Sequence, residues 1–329
     1  MSIKRKLYFV IDNSIFRFMM PFFEKLNNIL FHWDQRERIV HLGSEDEDKT
    51  YYVIRARSKE EGLMSLYFNN TISQIVYAKK RGYIPVVDYC NKSCQYWSEN
   101  NASNNIDNNA WEYYFEQPDD ISVSDILKKK NVIYSGWTFF GDNKKCFNFD
   151  GFINGDDDSI KLFANKYGKI NKNILRKLNL MCENFGVCYN TMGVFLRGTD
   201  YVALKPKGHF RQPSVDTVCL KIDEFLTRNE INKILLVTED YNIFIYLKNR
   251  YGDRVFSPDD VFIRKYEGNF LEKSFNDDPY ARGERYIMRL LLLTKCGYLI
   301  SSLTNGSIFV LAHKQGLYKD KYIFNIGKY

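Results

Sequence analysis

From residue 193 onward, short apolar runs alternate with longer amphipathic stretches, and this alternation constrains the fold more than any other feature of the chain. Gly193–Arg197, Lys233–Thr238, Arg254–Phe256 and Tyr298–Ser302 are too short for helices and are bounded by turn-forming residues, so they read as strands. Asp216–Thr227, Tyr241–Tyr251, Arg282–Lys295 and Asn305–Lys314 carry apolar residues at helical spacing; in the first, Val218, Ile222 and Phe225 share a side. Strand and helix in alternation predict a parallel sheet covered by helices on both faces.

The first half is less regular. Leu7–Ile11, ending at Asp12-Asn13, reads as a buried strand, and His32–Leu42 and Thr50–Arg57 read as strands separated by an acidic turn, Glu45–Asp48. Gly62–Arg81 has helical spacing, Gly82 ends it, and Ile84–Asp88 follows as a parallel-type strand, which together make a βαβ-like unit. Ser98–Asn109 holds six asparagines and reads as a loop. Trp111–Phe115 is an aromatic cluster enclosing Glu112; Ser122–Lys130 reads as a short helix, Val132–Trp137 as a strand and Gly141–Asp158 as loop. Ile160–Phe185 reads as one or two helices leading to the second half. A chain of 329 residues has room for two domains, placed here at 1–185 and 186–329.

Charge and cysteines narrow the function classes. The net charge of +7 is spread along the chain without the concentrated stripe of a nucleic-acid binder; a nucleoside diphosphate ligand or an anionic membrane surface accounts for it. Seven irregularly spaced cysteines read as free thiols of a reducing compartment, and no metal site is expected from them. Met1–Lys6 is basic but lacks the apolar core and cleavage site of a signal peptide, and no window approaches 18 uncharged apolar residues. The expectation is a cytoplasmic protein, with peripheral attachment to the inner face of a membrane left open.

Ligands of open α/β sheets bind beyond the carboxyl ends of the strands, and three groups of polar residues fall there. Gly193-Val-Phe-Leu-Arg-Gly-Thr-Asp-Tyr201 delivers Arg197 to a strand tip, where a guanidinium can fork onto a diphosphate; an Arg–Asp ion pair closing the turn is the competing reading. Val237-Thr-Glu-Asp240 offers Glu239 and Asp240 to ribose or base, or Asp240 as the cap of the helix at Tyr241. Ser301, Ser302, Thr304, Asn305, Gly306 and Ser307 run from a strand into a helix start, which suits phosphate as well as ordinary capping; the Gly-x4-Gly-Lys pattern of a P-loop is absent. Lys205, Lys207, His209, Arg211 and Gln212 lie on a basic loop between the first two groups.

Phe195-Leu-Arg-Gly-Thr-Asp200 resembles the His-x-Arg-Arg-Thr-Asp motif of the α1,6-fucosyltransferase and protein O-fucosyltransferase superfamily. The same order of blocks continues through Glu239-Asp240 and Leu291-Leu-Leu-Thr-Lys-Cys-Gly-Tyr-Leu-Ile-Ser-Ser302. Gly62-Leu-Met-Ser, Gly82–Asp88 and Asn109–Pro118 are similar to bacterial relatives. Phe195 and Gly198 stand where the family has its His and second Arg, and Arg289 where an acidic residue is usual. The resemblance implies a GT-B fold, two Rossmann-like domains facing each other across a cleft. It implies an inverting, metal-independent glycosyltransferase without a cofactor, moving fucose or a related sugar from a nucleotide-diphosphate donor, GDP-linked in the family, to a glycan acceptor. By carry-over, Arg197 holds the donor phosphate, while Thr199, Asp200, Glu239, Asp240 and residues 301–307 surround the nucleotide. For the acceptor side, Glu112 is the first choice of general base, with Asp88 or His209 next; Trp111, Tyr113, Lys205, Gln212 and Asp88 are candidate contacts, and a core aromatic cluster with Glu112 in a buried ion pair is the competing reading of Trp111–Phe115, in place of a sugar platform. Bacterial surface polysaccharide synthesis is the expected setting. Two other readings remain: a non-catalytic carbohydrate-binding protein of the same fold, and a metal-dependent GT-A transferase using Asp156–Asp158.

Overall fold

The computed structural model describes residues 37–56, 61–90, 94–100, 107–136, 147–268 and 277–329. The expected strand at Leu7–Ile11 and its Asp12-Asn13 end lie outside these residues.

The first sheet has the order β1-β4-β2-β3, where β1 is Arg38–Val40, β2 Glu45–Arg55, β3 Ile84–Asp88 and β4 Lys129–Tyr134. β2 pairs parallel with both β3 and β4, and β1 lies antiparallel on the edge. The acidic stretch expected to turn belongs to β2 instead. Lys129 bridges Glu45 and Asp46, and Lys130 pairs with Glu47, so the basic run of β4 neutralises the acidic run alongside it. The ladder slips between Glu45 and Thr50, with Asp46 in the left-handed region at φ 53°.

The helix expected at Gly62–Arg81 is wound in three parts: α1 (Leu63–Ser65), a π-helical segment (Leu66–Ile72) and α2 (Ser73–Lys79). The wide segment turns Asn70 inward, where its amide donates to the Arg55 carbonyl at the end of β2 and to the Tyr89 hydroxyl. Gly141–Asp158, expected as loop, contains α3 (Phe149–Asn154), capped by Asn148. α4 (Ser159–Tyr167) and α5 (Lys172–Phe185) follow, the latter capped by the Asn171 side chain.

The second sheet is wholly parallel, in the order β7-β6-β5-β8-β9. Its strands are β5 (Thr191–Phe195), β6 (Lys233–Val237), β7 (Val255–Phe256), β8 (Tyr298–Ser302) and β9 (Asp320–Phe324). The intervening helices are α6 (Thr199–Leu204), α7 (Val215–Arg228), α8 (Tyr241–Tyr251), α9 (Pro279–Lys295) and α10 (Asn305–His313). β5 comes first, β6 and β7 add on one side, and β8 and β9 on the other. The chain therefore reverses direction across the sheet between β5 and β8, a Rossmann order with its switch point at those two strands.

One face of this sheet packs Val218, Cys219, Ile222 and Phe225 of α7 against Met192, Val194, Ile234 and Ile300. The other face joins a larger cluster that runs through both halves of the chain, from Tyr67, Trp111 and Phe115 to Leu290, Leu293 and Phe309. Each fully buried side chain of this size contributes roughly 1.5–3 kcal/mol. Polar links join the halves as well. Ser98 donates to Asp278, which caps α9, Arg282 donates to the Gln95 carbonyl, and Tyr67 is hydrogen-bonded to His313 at 2.8 Å. No helix among the described residues is long and apolar enough to cross a membrane. Six described cysteines are free thiols.

Candidate functional site at the β5–β8 crevice

The strand order brings the polar groups of the second half to one edge. β5 ends at Phe195, and the chain passes through Leu196 and Arg197 into Gly198, the residue before α6. β6 delivers Thr238, Glu239 and Asp240 beside it. β8 pairs Ser301 directly with Phe195 and then enters α10. A Cβ on Gly306 would stand 2.8 Å from the Phe195 ring and 2.9 Å from the Tyr286 hydroxyl, so the α10 start, β5 and α9 meet at this point.

Glu239 is the node of the cluster. Its Oε1 accepts from the Gly198 amide at 2.8 Å, the Thr199 hydroxyl at 3.0 Å and Arg197 Nε at 3.4 Å. Arg197 Nη2 donates to Asp200 at 2.8 Å, and the guanidinium lies over the Tyr201 ring, 4.6 Å from its centroid. The guanidinium side chain is 10% exposed and its two carboxylate partners 5% and 4%. Burial works against the charge, but Glu239 and Asp200 outweigh it and hold the pKa above the ordinary arginine value. The guanidinium thus sits in a closed ion cluster, one cation matched by two carboxylates, and its pair with Asp200 closes the turn. Asp240 likewise caps α8, accepting from the Asn242 amide at 2.8 Å, and its carboxylate fills the space a side chain on residue 198 would need, 2.5 Å from the built Cβ.

At the β8 end, Thr304 and Ser307 form a reciprocal capping box, which occupies both hydroxyls. Ser301 donates to the Ser302 carbonyl, whereas Ser302 Oγ is buried with no hydrogen-bond partner among the described residues. Asn305 is partly exposed. Lys205 ends α6 in the left-handed region at φ 43° and is exposed. His209 meets the Tyr201 ring edge-on at 5.3 Å; burial and Arg197 lower its pKa against the opposing pull of Asp200. Gln212 donates to the Phe210 carbonyl, and its Oε1 is buried without a partner among the described residues.

The first-half candidates gather at the end of β3. Asp88 accepts from the Cys90 amide, and the Gln117 side chain accepts from the Val87 amide and donates to the Val87 carbonyl and to Glu112 Oε1. Burial raises the Glu112 pKa, Gln117 opposes the rise, and Asp107 adds to it. Trp111 and Tyr113 are not an open sugar platform. They are 3% and 4% exposed, Trp111 stacks on Phe115 at 4.3 Å, and Tyr113 meets Tyr280 edge-on at 5.4 Å. Their area is used to join the two halves of the core. Among the described residues, neither Glu112 nor Asp88 is hydrogen-bonded or ion-paired to the Arg197 cluster. Asp157, within the Asp-x-Asp stretch, accepts from the Ser159 amide at the entry to α4. Tyr266 and Tyr286, which act electrostatically on the Arg197 cluster, are not among the residues the sequence points to. An aromatic on a loop or amphipathic helix carries no spacing signal.

No protein family matches the chain, and no curated relative does. Among solved structures, it is similar to the α-1,6-fucosyltransferase NodZ soaked with GDP-fucose, at 15% identity over 80% of this chain and 91% of that one, with a TM-score of 0.45. It is similar to Arabidopsis thaliana FUT1 in complex with GDP, at 10% identity over 85% and 71% of the two chains, with a TM-score of 0.47. POFUT1 in complex with GDP-fucose is similar at 10% identity over 85% and 75%, with a TM-score of 0.37.

Proposed function

We propose that this chain is a GT-B glycosyltransferase that binds a nucleoside diphosphate sugar at the β5–β8 crevice and passes the sugar to a glycan hydroxyl. In this reading residues 186–329 are the donor half and residues 1–185 the acceptor half. The observation that carries it is the meeting of the β5 and β6 ends at Gly198 and Glu239, with the end of β8 paired to Phe195 beside them, at a topological switch point, where α/β sheets take their ligands. The Arg-centred motif at Phe195–Asp200 supplies the class of ligand, and its resemblance points to GDP. The acceptor oxygen forms a bond to the anomeric carbon as the bond to the diphosphate breaks, and the acceptor proton passes to a base. Arg197 exchanges Asp200 for a phosphate oxygen, and the amides opening α10 face the same charge. Glu112 is the first choice of base, because its partly buried carboxyl has a raised pKa, with His209 and Asp88 behind it. Inversion, independence of metal and a place in surface polysaccharide synthesis belong to the same proposal.

Thermal-shift titration with GDP, UDP and GDP-fucose tests it. A guanosine diphosphate that raises the melting temperature fits the reading; at a hundred times Kd the expected gain is about 2.7 kcal/mol. No shift with any nucleotide would sink it. The neutralised Arg197 and the closed space at Gly198 favour one alternative, a non-catalytic carbohydrate-binding protein. Sugar transfer or donor hydrolysis above background would exclude that alternative.

A further inference from the structure

The buried stretch of α9 carries a charge in apolar company. Met288 and Leu290–Leu293 are buried, and Arg289 among them is only 7% exposed. Its guanidinium forks onto one carboxylate: Nε donates to Asp259 Oδ2 at 2.9 Å and Nη2 to Asp259 Oδ1, while Nη2 also donates to the Val261 carbonyl at 2.8 Å. Asp259 in turn accepts from the Val261 amide at 2.9 Å, so the segment after β7 is folded around the arginine. Two residues on, that segment reaches the crevice. The Ile263 amide donates to the Glu239 carbonyl at 2.8 Å, and the Tyr241 amide donates to the Ile263 carbonyl at 3.3 Å. Phe262 stacks on Phe244 of α8 at 4.7 Å. Residues 259–263 thus form a strap from α9 to the backbone at Glu239–Tyr241. The side chains of that backbone hold the Arg197 motif, Glu239 by hydrogen bonds and Asp240 by filling the space at Gly198.

We propose that Arg289 is a positioning residue for the donor crevice, acting through Asp259 and the strap on Glu239 and Asp240; this rests on the donor reading given above. A buried ion pair is a weak source of stability, because desolvation of both groups offsets their attraction, and an apolar pair of similar size often holds a fold as well. What an apolar pair lacks is direction. A planar fork fixes both the distance and the rotation of the carboxylate it binds. The third bond, to the Val261 carbonyl, fixes the backbone two residues further along. Apolar contacts at the same place would keep the strap against α9 but let it slide. A sliding strap carries Ile263 with it and, through the two backbone hydrogen bonds, the Glu239–Tyr241 backbone. The Glu239 carboxylate then no longer meets the Gly198 amide, the Thr199 hydroxyl and Arg197 together.

Calorimetric titration of the full chain with GDP and with UDP, beside a ligand-free thermal melt, is the direct test. Arg289→Met with Asp259→Leu removes both charges and keeps apolar volume in their place. Its melting temperature should stay close to that of the parent, while Kd for the nucleotide rises about tenfold. Arg289→Lys keeps the cation but loses the fork, and should show a rise in the same direction. Without any ligand, the Ile263 and Gly198 amides should exchange hydrogen faster in both variants, with the β8 amides unchanged. Parent-like Kd in either variant, or parent-like exchange at Ile263 and Gly198, would overturn the proposal. So would a double variant that melts far below the parent, since the pair would then be a brace of the whole fold. A parent that binds neither nucleotide removes the donor reading and this inference with it; a parent that binds, beside a double variant that binds equally well, removes this inference alone.

Discussion

Arg197 is the residue on which the site turns, and its surroundings limit what it can do. A guanidinium between Asp200 and Glu239 is held in position by contacts that also cancel its charge. Removing it would leave two buried carboxylates without a cation, a loss of about 3–5 kcal/mol, so loss of activity in an alanine variant could not be told from loss of fold. Arg197→Lys separates the two. It keeps a cation near the carboxylates but loses the planar fork, so transfer is expected to fall at least about a hundredfold with a smaller effect on the melting temperature. Activity near the parent value, measured with a donor turnover assay, would remove Arg197 from the mechanism.

At the scale of elements, the turn between β5 and α6 is shaped by the start of α8. Gly198 can have no side chain because the Asp240 carboxylate, fixed as the α8 cap, sits where its Cβ would be. The place a side chain would take is already filled from the segment after β6. Gly198→Ala is expected to push the two loops apart and cost about 1–3 kcal/mol, read as a lower melting temperature together with weaker nucleotide stabilisation. An unchanged melt would mean that the two loops separate freely.

For the molecule as a whole, one of the contacts joining its halves depends on pH. His313 of α10 is hydrogen-bonded to Tyr67 of the π segment, which also reaches the Gly168 carbonyl before α5. Burial lowers the His313 pKa from 6.5 to about 3. The folded chain therefore keeps this ring neutral while the unfolded chain protonates it below 6.5, so its contribution to stability is complete above that pH and falls as the medium becomes more acidic. The expected slope is up to about 1.4 kcal/mol per pH unit over that window. His313→Gln should flatten that part of a stability curve measured by denaturant unfolding; an unaltered slope would place the acid sensitivity elsewhere.

Much of this was written in local pattern. The strands at Lys233, Tyr298 and Ile84 and the helices at Tyr241 and Asn305 follow from hydrophobic period and capping residues, both of which act within a few positions along the chain. The gathering of Arg197, Glu239 and Ser301–Ser307 at one edge followed from strand and helix alternation, because parallel connections leave few ways to order the strands. Local pattern could not tell a turn from a strand at Glu45–Asp48, since the lysines that neutralise it come from β4, more than eighty residues on. Nor could it foresee the inward Asn70 or the Glu239 carboxylate that completes the Arg197 cluster from β6. Burial and charge balance depend on which distant segments arrive, and a residue's own neighbours in the chain carry no record of that arrival.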